Sequence, residues 1–247
     1  MILFDKETEE QLWETPFHPI RAISNSTHNV YLEDGVFITS YYGDKIVGID
    51  EKTGDELWEI ETPDSTIESF LVEGDVIYLF NGVHQLEAGG MRAASITMFD
   101  ASSQEEIDEV VFGEGGSPVG NGSFATEDGQ IIFHEADGLD QSIVSADPDL
   151  TKENWIVKGE DYYLQDMLYE NGKIYVIAED LEEKEYFLII IDASSGEVEE
   201  KIILEDGKND DPNTFYTYDG KVYIHMTIGS NFYYIFDEED VHRPLPK

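Results

Sequence analysis

The chain has 247 residues, with 14 Lys and Arg against 55 Asp and Glu, a formal charge of −41 and no cysteine. Such a charge repels nucleic acid and anionic membrane surfaces, and the lack of cysteine excludes disulfides, thiolate metal sites and cysteine nucleophiles. No apolar run is long enough to cross a bilayer, while the 40% hydrophobic and 12% aromatic residues, interleaved with the acids, argue for a folded core.

In chain order, the first apolar run ends at Asp5, and a short strand after it carries Trp13. "EDGVFITS" sets an Asp-Gly turn before a β-rich run; the next run ends at Asp50, and Trp58 follows in "DEKTGDELW". "EGDVIYLF" repeats the turn and strand, residues 81 to 95 interrupt, and "SITMFD" ends at Asp100. A Gly-rich stretch at 112–123 leads to "EDGQIIFH", a run ending near Asp147, and Trp155. "ENGKIYVI" and "FLIIIDASSG" give the same pair around Asp192, and "YDGKVYIH" and "FYYIFD" give it around Asp237. The tail, "VHRPLPK", is a poor strand because it is proline-rich.

The six Asp positions are separated by 45, 50, 47, 45 and 45 residues, and every Trp falls eight residues after one of them. Gly after Asp or Asn supplies the positive φ of a tight hairpin. Each period therefore reads as four short strands: two around the Gly turn, one ending at the Asp, and one at the Trp position. Four strands in about 45 residues is the period of a β-propeller blade. The expected fold is all-β, a propeller of four-stranded antiparallel blades in a single domain over residues 1–247. Five blades are favoured and six are the alternative, with the Trp13 strand replacing the poor last strand in the five-bladed case. The Asp side chain is expected to accept backbone N–H bonds from the turn that follows it. The Trp is expected to lie on the outer strand, covered by the next blade.

Asp50, Thr53, Gly54 and Trp58 resemble the tryptophan-docking motif of the PQQ-like repeat, found in the quinoprotein alcohol dehydrogenase-like propellers. Trp13 and Trp155 keep its spacing without the Gly, and the turns at Asp100 and Asp192 keep "ASSQ" or "ASSG" without the Trp. The resemblance implies the propeller fold over nearly the whole chain. It does not choose a function, because such repeats serve enzymes and non-catalytic scaffolds alike. The dehydrogenases are about twice as long, and many carry an adjacent cysteine pair over the quinone. PQQ is therefore not expected here.

In a propeller, the loops between second and third strands share a face with those joining the blades. The long loop at 81–95 offers His84, Gln85, Glu87 and Arg92 on that face. Paired tyrosines beside acids, Tyr41 and Tyr42 and again Tyr162 and Tyr163, offer stacking and hydrogen bonding to a peptide or a sugar. The stretch at 112–123 has no following Lys or helix and reads as a connector. His134 and His225 hold equivalent places five residues after their turn glycines, with no shared metal motif. "EDGKNDDPN" lacks the order of a calcium loop, so only weak Ca²⁺ or K⁺ binding is expected of so many acids.

The expected function is a non-catalytic scaffold, a monomer whose partner is another protein. The alternative is a small-molecule or carbohydrate-binding propeller, extending to a hydrolase, that uses the acidic tyrosine-bearing face. The acidity itself suggests salt adaptation, since the Debye length shrinks to about 3 Å at 1 M salt and relieves self-repulsion. The opening "MILFDKETEE" has no basic n-region. It implies a cytoplasmic protein if the chain is complete, and an extracytoplasmic one if it is part of a longer precursor.

Overall fold

Short strands joined by tight turns make up the chain, and no helix occurs among the described residues. A computed structural model describes residues 2–15, 30–41, 45–62, 66–82, 84–85, 91–112, 116–137, 140–159, 162–204, 211–227, 232–236 and 241–242. Strands β1 (Ile2–Phe4) and β2 (Gln11–Glu14) form a hairpin of their own. Then β3 (Val30–Glu33), β4 (Val36–Tyr41), β5 (Lys45–Asp50) and β6 (Glu56–Glu61) form an antiparallel sheet in sequence order. The next repeat contains β7 (Thr66–Glu73) and β8 (Val76–Gly82), a small hairpin β9 (His84–Gln85) and β10 (Met91–Arg92), then β11 (Ser95–Asp100) and β12 (Glu106–Val111). Its sheet order is again sequential, with the small hairpin standing apart.

Three more four-stranded sheets follow. The first has β13 (Gly116–Ala125), β14 (Ile131–Asp137), β15 (Asp140–Ala146) and β16 (Glu153–Lys158). The second has β17 (Tyr162–Glu170), β18 (Lys173–Asp180), β19 (Glu185–Asp192) and β20 (Val198–Ile203). The third has β21 (Asp211–Tyr218), β22 (Lys221–Thr227), β23 (Phe232–Phe236) and β24 (Val241–His242). Its fourth place is thus taken by Val241–His242, while the Trp13 strand pairs with β1. The chain divides into two units, Met1–Gly120 and Asn121–Lys247.

Strands β5, β8, β11, β14, β18 and β19, in the middle of their sheets, are buried on both faces, which is why they read as largely apolar runs. In β19, Phe187, Ile189 and Ile191 join one core cluster with Ile143 and Leu164, while Tyr186, Leu188 and Ile190 join another with Val222 and Phe236. In β5, Ile46 packs with Phe70 and Leu79, and Val47 and Ile49 pack with Trp13. Alternate side chains thus bind one sheet to neighbours on both sides, each fully buried Ile contributing roughly 1.5–3 kcal/mol. The outer strands have one wet edge, and β6 and β20 expose most of their residues.

The carboxylates that end the third strands fix the turns. Asp50 Oδ1 accepts the N–H groups of Lys52 (2.9 Å) and Thr53 (2.7 Å), and Asp5, Asp100 and Asp192 do the same at their own turns. The four carboxyls lie below the usual range: the Thr8 and Thr53 N–H groups contribute most at Asp5 and Asp50, the Ser102 hydroxyl at Asp100, which falls to about 2, and the Ser194 hydroxyl at Asp192. The fourth residue after each Asp adopts a left-handed φ: Glu9, Gly54, Gln104 and Gly196. Asp180 builds the same turn between β18 and β19, with Lys184 left-handed. At Asp147 the turn is one residue tighter, closed by the Leu150 N–H on the Asp147 carbonyl (2.8 Å). There Asp149, rather than Asp147, accepts the local backbone N–H, from Thr151. Asp237 lies outside the described residues.

Two tryptophans reach into the following turn. The Trp13 indole N–H donates to the Glu51 carbonyl (2.7 Å), and that of Trp155 to the Ala193 carbonyl (3.1 Å). Trp58 does not follow them. At the corresponding carbonyl, Ala101, the acceptor is taken by the Gln104 side-chain amide (2.7 Å). Trp58 lies across Gly48 of its own sheet instead, where an added Cβ would overlap the indole.

Candidate functional site

Within the second unit, a groove of about 380 Å³ runs between the outer strand β16 and strands β19 and β20. Three features of the sequence shape it. Trp155 anchors β16 on the Asp192 turn through the Ala193 carbonyl. Gly159, at the end of β16, donates its N–H to the Gln141 carbonyl (2.7 Å) and accepts from the Tyr162 N–H (2.9 Å). A Cβ on Gly159 would lie 3.0 Å from the Tyr162 carbonyl oxygen and 3.2 Å from that of Gln141, so glycine permits this close passage. Gln141 is buried, and its side-chain oxygen accepts the Leu164 N–H (2.5 Å), joining β15 to β17.

The floor of the groove is apolar, with Ile143, Leu164, Ile189 and Ile191. Its rim carries the exposed Ile156 and Val198 together with Lys158 and Lys201. The Lys201 ammonium lies 3.6 Å from the centroid of the Tyr162 ring and 4.2 Å from that of Phe187, and those two rings pack with centroids 5.3 Å apart. Lys45 and Lys173 sit on carboxylates. Lys201 and Lys158 have no carboxylate partner among the described residues.

In β14, His134 is buried and bonded to Gln141, while its Nε2 has no partner among the described residues. Burial pushes this imidazole down to about 4. On β17, the first strand of its sheet, Asp166 follows a bulge between Leu164 and Asp166, and burial raises its carboxyl to about 6 against the opposing Met167 N–H bond. Gln165, the bulged residue, donates to Glu179 (2.9 Å). In the first unit, Glu68 is the bulged residue of β7 and is likewise raised by burial. Among the described residues, no group of three or more His, Asp or Glu side chains is placed to hold a metal ion.

The residues expected to bind a partner fall in different places. Tyr162 is half-buried with one face under Lys201, and Tyr163 beside it is exposed. Tyr41 ends β4, paired with Lys45, and Tyr42 lies outside the described residues. In the 81–95 segment, His84 pairs with Arg92 and Gln85 with Met91 across the small hairpin, and Glu87 lies outside the described residues. His134 is buried in β14, and His225 is half-buried in β22.

Sequence reasoning missed Lys158, Lys201 and Gln141. The scarcity of lysine on outer strands was the readable signal for the first two. Gln141 left no signal, because its role depends on a backbone N–H in the next sheet.

A family profile described as outer membrane protein assembly factor BamB matches residues 2–103. No curated protein matches the chain by sequence. Among solved structures, the chain is similar to BamB from Moraxella catarrhalis at 13% identity, over 97% of this chain and 80% of that one, with a TM-score of 0.56. It is similar to a quinohemoprotein alcohol dehydrogenase from Comamonas testosteroni at 12% identity, over 88% of this chain and 42% of that one, with a TM-score of 0.60. A chain of the Mitotic Checkpoint Complex is similar at 9% identity, over 88% of this chain and 64% of that one, with a TM-score of 0.61. The chain thus spans less than half the length of the dehydrogenase. At these identities the likeness is one of fold.

Proposed function

From the premise that the chain is a β-propeller of PQQ-like repeats, we propose that it is a non-catalytic scaffold that binds another protein. The observation that carries this reading is the likeness to BamB, an assembly factor by its description, which extends over 80% of that chain. The similar chain from the Mitotic Checkpoint Complex also works within an assembly. Apolar residues exposed on outer strands, among them Leu57, Ile107, Ile156 and Val198, support it as well, since they stand on rigid strands among charged neighbours.

In this reading the contact residues are Tyr41, Tyr42, Tyr162 and Tyr163, with His84, Gln85, Glu87 and Arg92 of the 81–95 segment. The chain acts as a monomer, takes no quinone and binds Ca²⁺ or K⁺ only weakly.

The test is affinity capture from the source organism's lysate at its native ionic strength, with a variant lacking residues 82–94 as control. A stoichiometric protein partner that disappears with the deletion is the expected result. Recovery of the bait alone, together with sugar binding that is lost in Tyr163→Ala, would replace the scaffold with a carbohydrate-binding propeller.

A further inference from the structure

We infer that the groove between β16 and β20 docks an extended segment of the partner protein, mainly apolar and carrying one carboxylate that pairs with Lys201. The inference rests on the scaffold reading and names the chemistry its partner presents. Three observations lead to it.

The first is the backbone. β16 and β20 are the outermost strands of their sheets, and among the described residues nothing pairs with the outer edge of either. Each edge presents a row of free N–H and C=O groups, the template to which an extended peptide adds as a strand. The groove is lined by residues of both parities along these strands: Ile156, Val157 and Lys158 on one wall, Val198 and Lys201 on the other. It therefore follows the strand edges and is not confined to one sheet face.

The second is the apolar content. Ile156 and Val198 are 46% and 47% exposed on the rim, above a floor of buried isoleucine and leucine. Side chains from alternate positions of a docked strand would cover them.

The third is charge. In a chain of −41, two lysines border one apolar groove, and Lys201 rests on the Tyr162 and Phe187 rings. The rings hold the ammonium in place and leave its donors available to a carboxylate. The surrounding field opposes a polyacidic ligand. A single acid flanked by apolar residues satisfies both the lysine and the field.

The test is selection of a random displayed-peptide library on the full chain at about 1 M KCl. Enriched peptides are then titrated by fluorescence anisotropy against wild type, Lys201→Glu, Val198→Glu and, as a control that does not line the groove, Lys6→Glu. The expected peptides carry one Asp or Glu within an apolar run. Their affinity falls about tenfold or more in the two groove variants and is unchanged in the control. Replacing the peptide's acid by its amide costs a similar factor in wild type and nothing further in Lys201→Glu. Lys201→Gln keeps the stem over the rings and serves if the glutamate variant fails to fold by circular dichroism.

No enriched peptide, or peptides that bind Lys201→Glu as tightly as wild type, overturns the inference. Binding of octanoate at the groove isoleucine methyl groups in the absence of any peptide binding also overturns it, in favour of a small-molecule pocket. A lysate partner retained by Lys201→Glu removes the groove and leaves the scaffold standing; no peptide and no partner removes both.

Discussion

The indole of Trp13 lies so close to the backbone of Gly54 that a Cβ added there would sit 2.7 Å from the ring. Trp155 and Gly196 stand in the same relation, again at 2.7 Å. In both pairs the glycine has a left-handed φ, 75° and 73°. It therefore serves two purposes, the reversal of its own turn and the clearance for a ring from the preceding repeat.

Gly54→Ala is accordingly expected to cost about 3 kcal/mol, combining left-handed strain of about 1 kcal/mol with overlap on the ring. Gly74→Ala separates the two effects. Gly74 is also left-handed, at 55°, but an added Cβ there meets nothing within 4 Å. It is expected to cost only about 1 kcal/mol. Urea unfolding at molar KCl compares the pair, and equal losses would show that the ring imposes no constraint.

The tryptophans themselves should rank by docking. Trp13 is 7% exposed and donates to Glu51, whereas Trp58 is half-buried and its indole N–H has no acceptor among the described residues. Trp13→Phe is expected to cost about 2 kcal/mol and Trp58→Phe less than about 1 kcal/mol. In single-tryptophan variants, acrylamide should quench Trp58 more strongly than Trp13.

Two buried groups should shape acid stability in opposite senses. His134 is lowered from 6.5 to about 4, so the unfolded chain takes up its proton first. Its contribution is complete above pH 6.5 and is lost as pH falls toward 4. Asp166 is raised from 3.8 to about 6, so the folded chain keeps its proton longer. Its unfavourable effect grows as pH rises through that window. Asp166→Asn should therefore raise stability at pH 7, by on the order of 1–3 kcal/mol, and bring no gain near pH 4. His134→Gln should flatten the loss that wild type shows between pH 6.5 and 4. Thermal unfolding of both variants against wild type across this range checks the signs.

The net charge of −41 should make stability depend steeply on salt. Melting temperature is expected to climb between about 0.1 M and about 2 M KCl as the Debye length contracts. A flat response would remove the salt-adapted interpretation of the composition.

Much of the fold was legible because it is local. The Asp-Gly and Asn-Gly pairs mark left-handed turns at Gly35, Gly129, Gly172 and Gly220, and the apolar runs mark strands buried on both faces. The Asp-to-Trp spacing was visible too, but one consequence was not. Trp58 belongs to the best match to the docking motif, yet its own repeat does not decide its fate. Gln104, 46 residues later in the chain, fills the carbonyl that the indole would use. The groove was less legible still. Lys158 and Lys201 come from different repeats, and the cation–π contact that places Lys201 joins three strands of one sheet, β17, β19 and β20, through residues well separated in the chain. The bulge that precedes Asp166 has no turn residue to announce it.

The tryptophan dock has its ring in one repeat and its glycine and carbonyl in the next. In both docks, a cut at the sheet boundary separates the ring from its seat: Trp13 from Gly54, and Trp155 from Gly196. The portable unit for grafting or duplication is therefore offset from the four-stranded sheet. It begins at the turn that precedes the tryptophan strand, at Asp5 or Asp147, and ends past the glycine-bearing turn of the following repeat, at Gly54 or Gly196, so that ring and seat travel together.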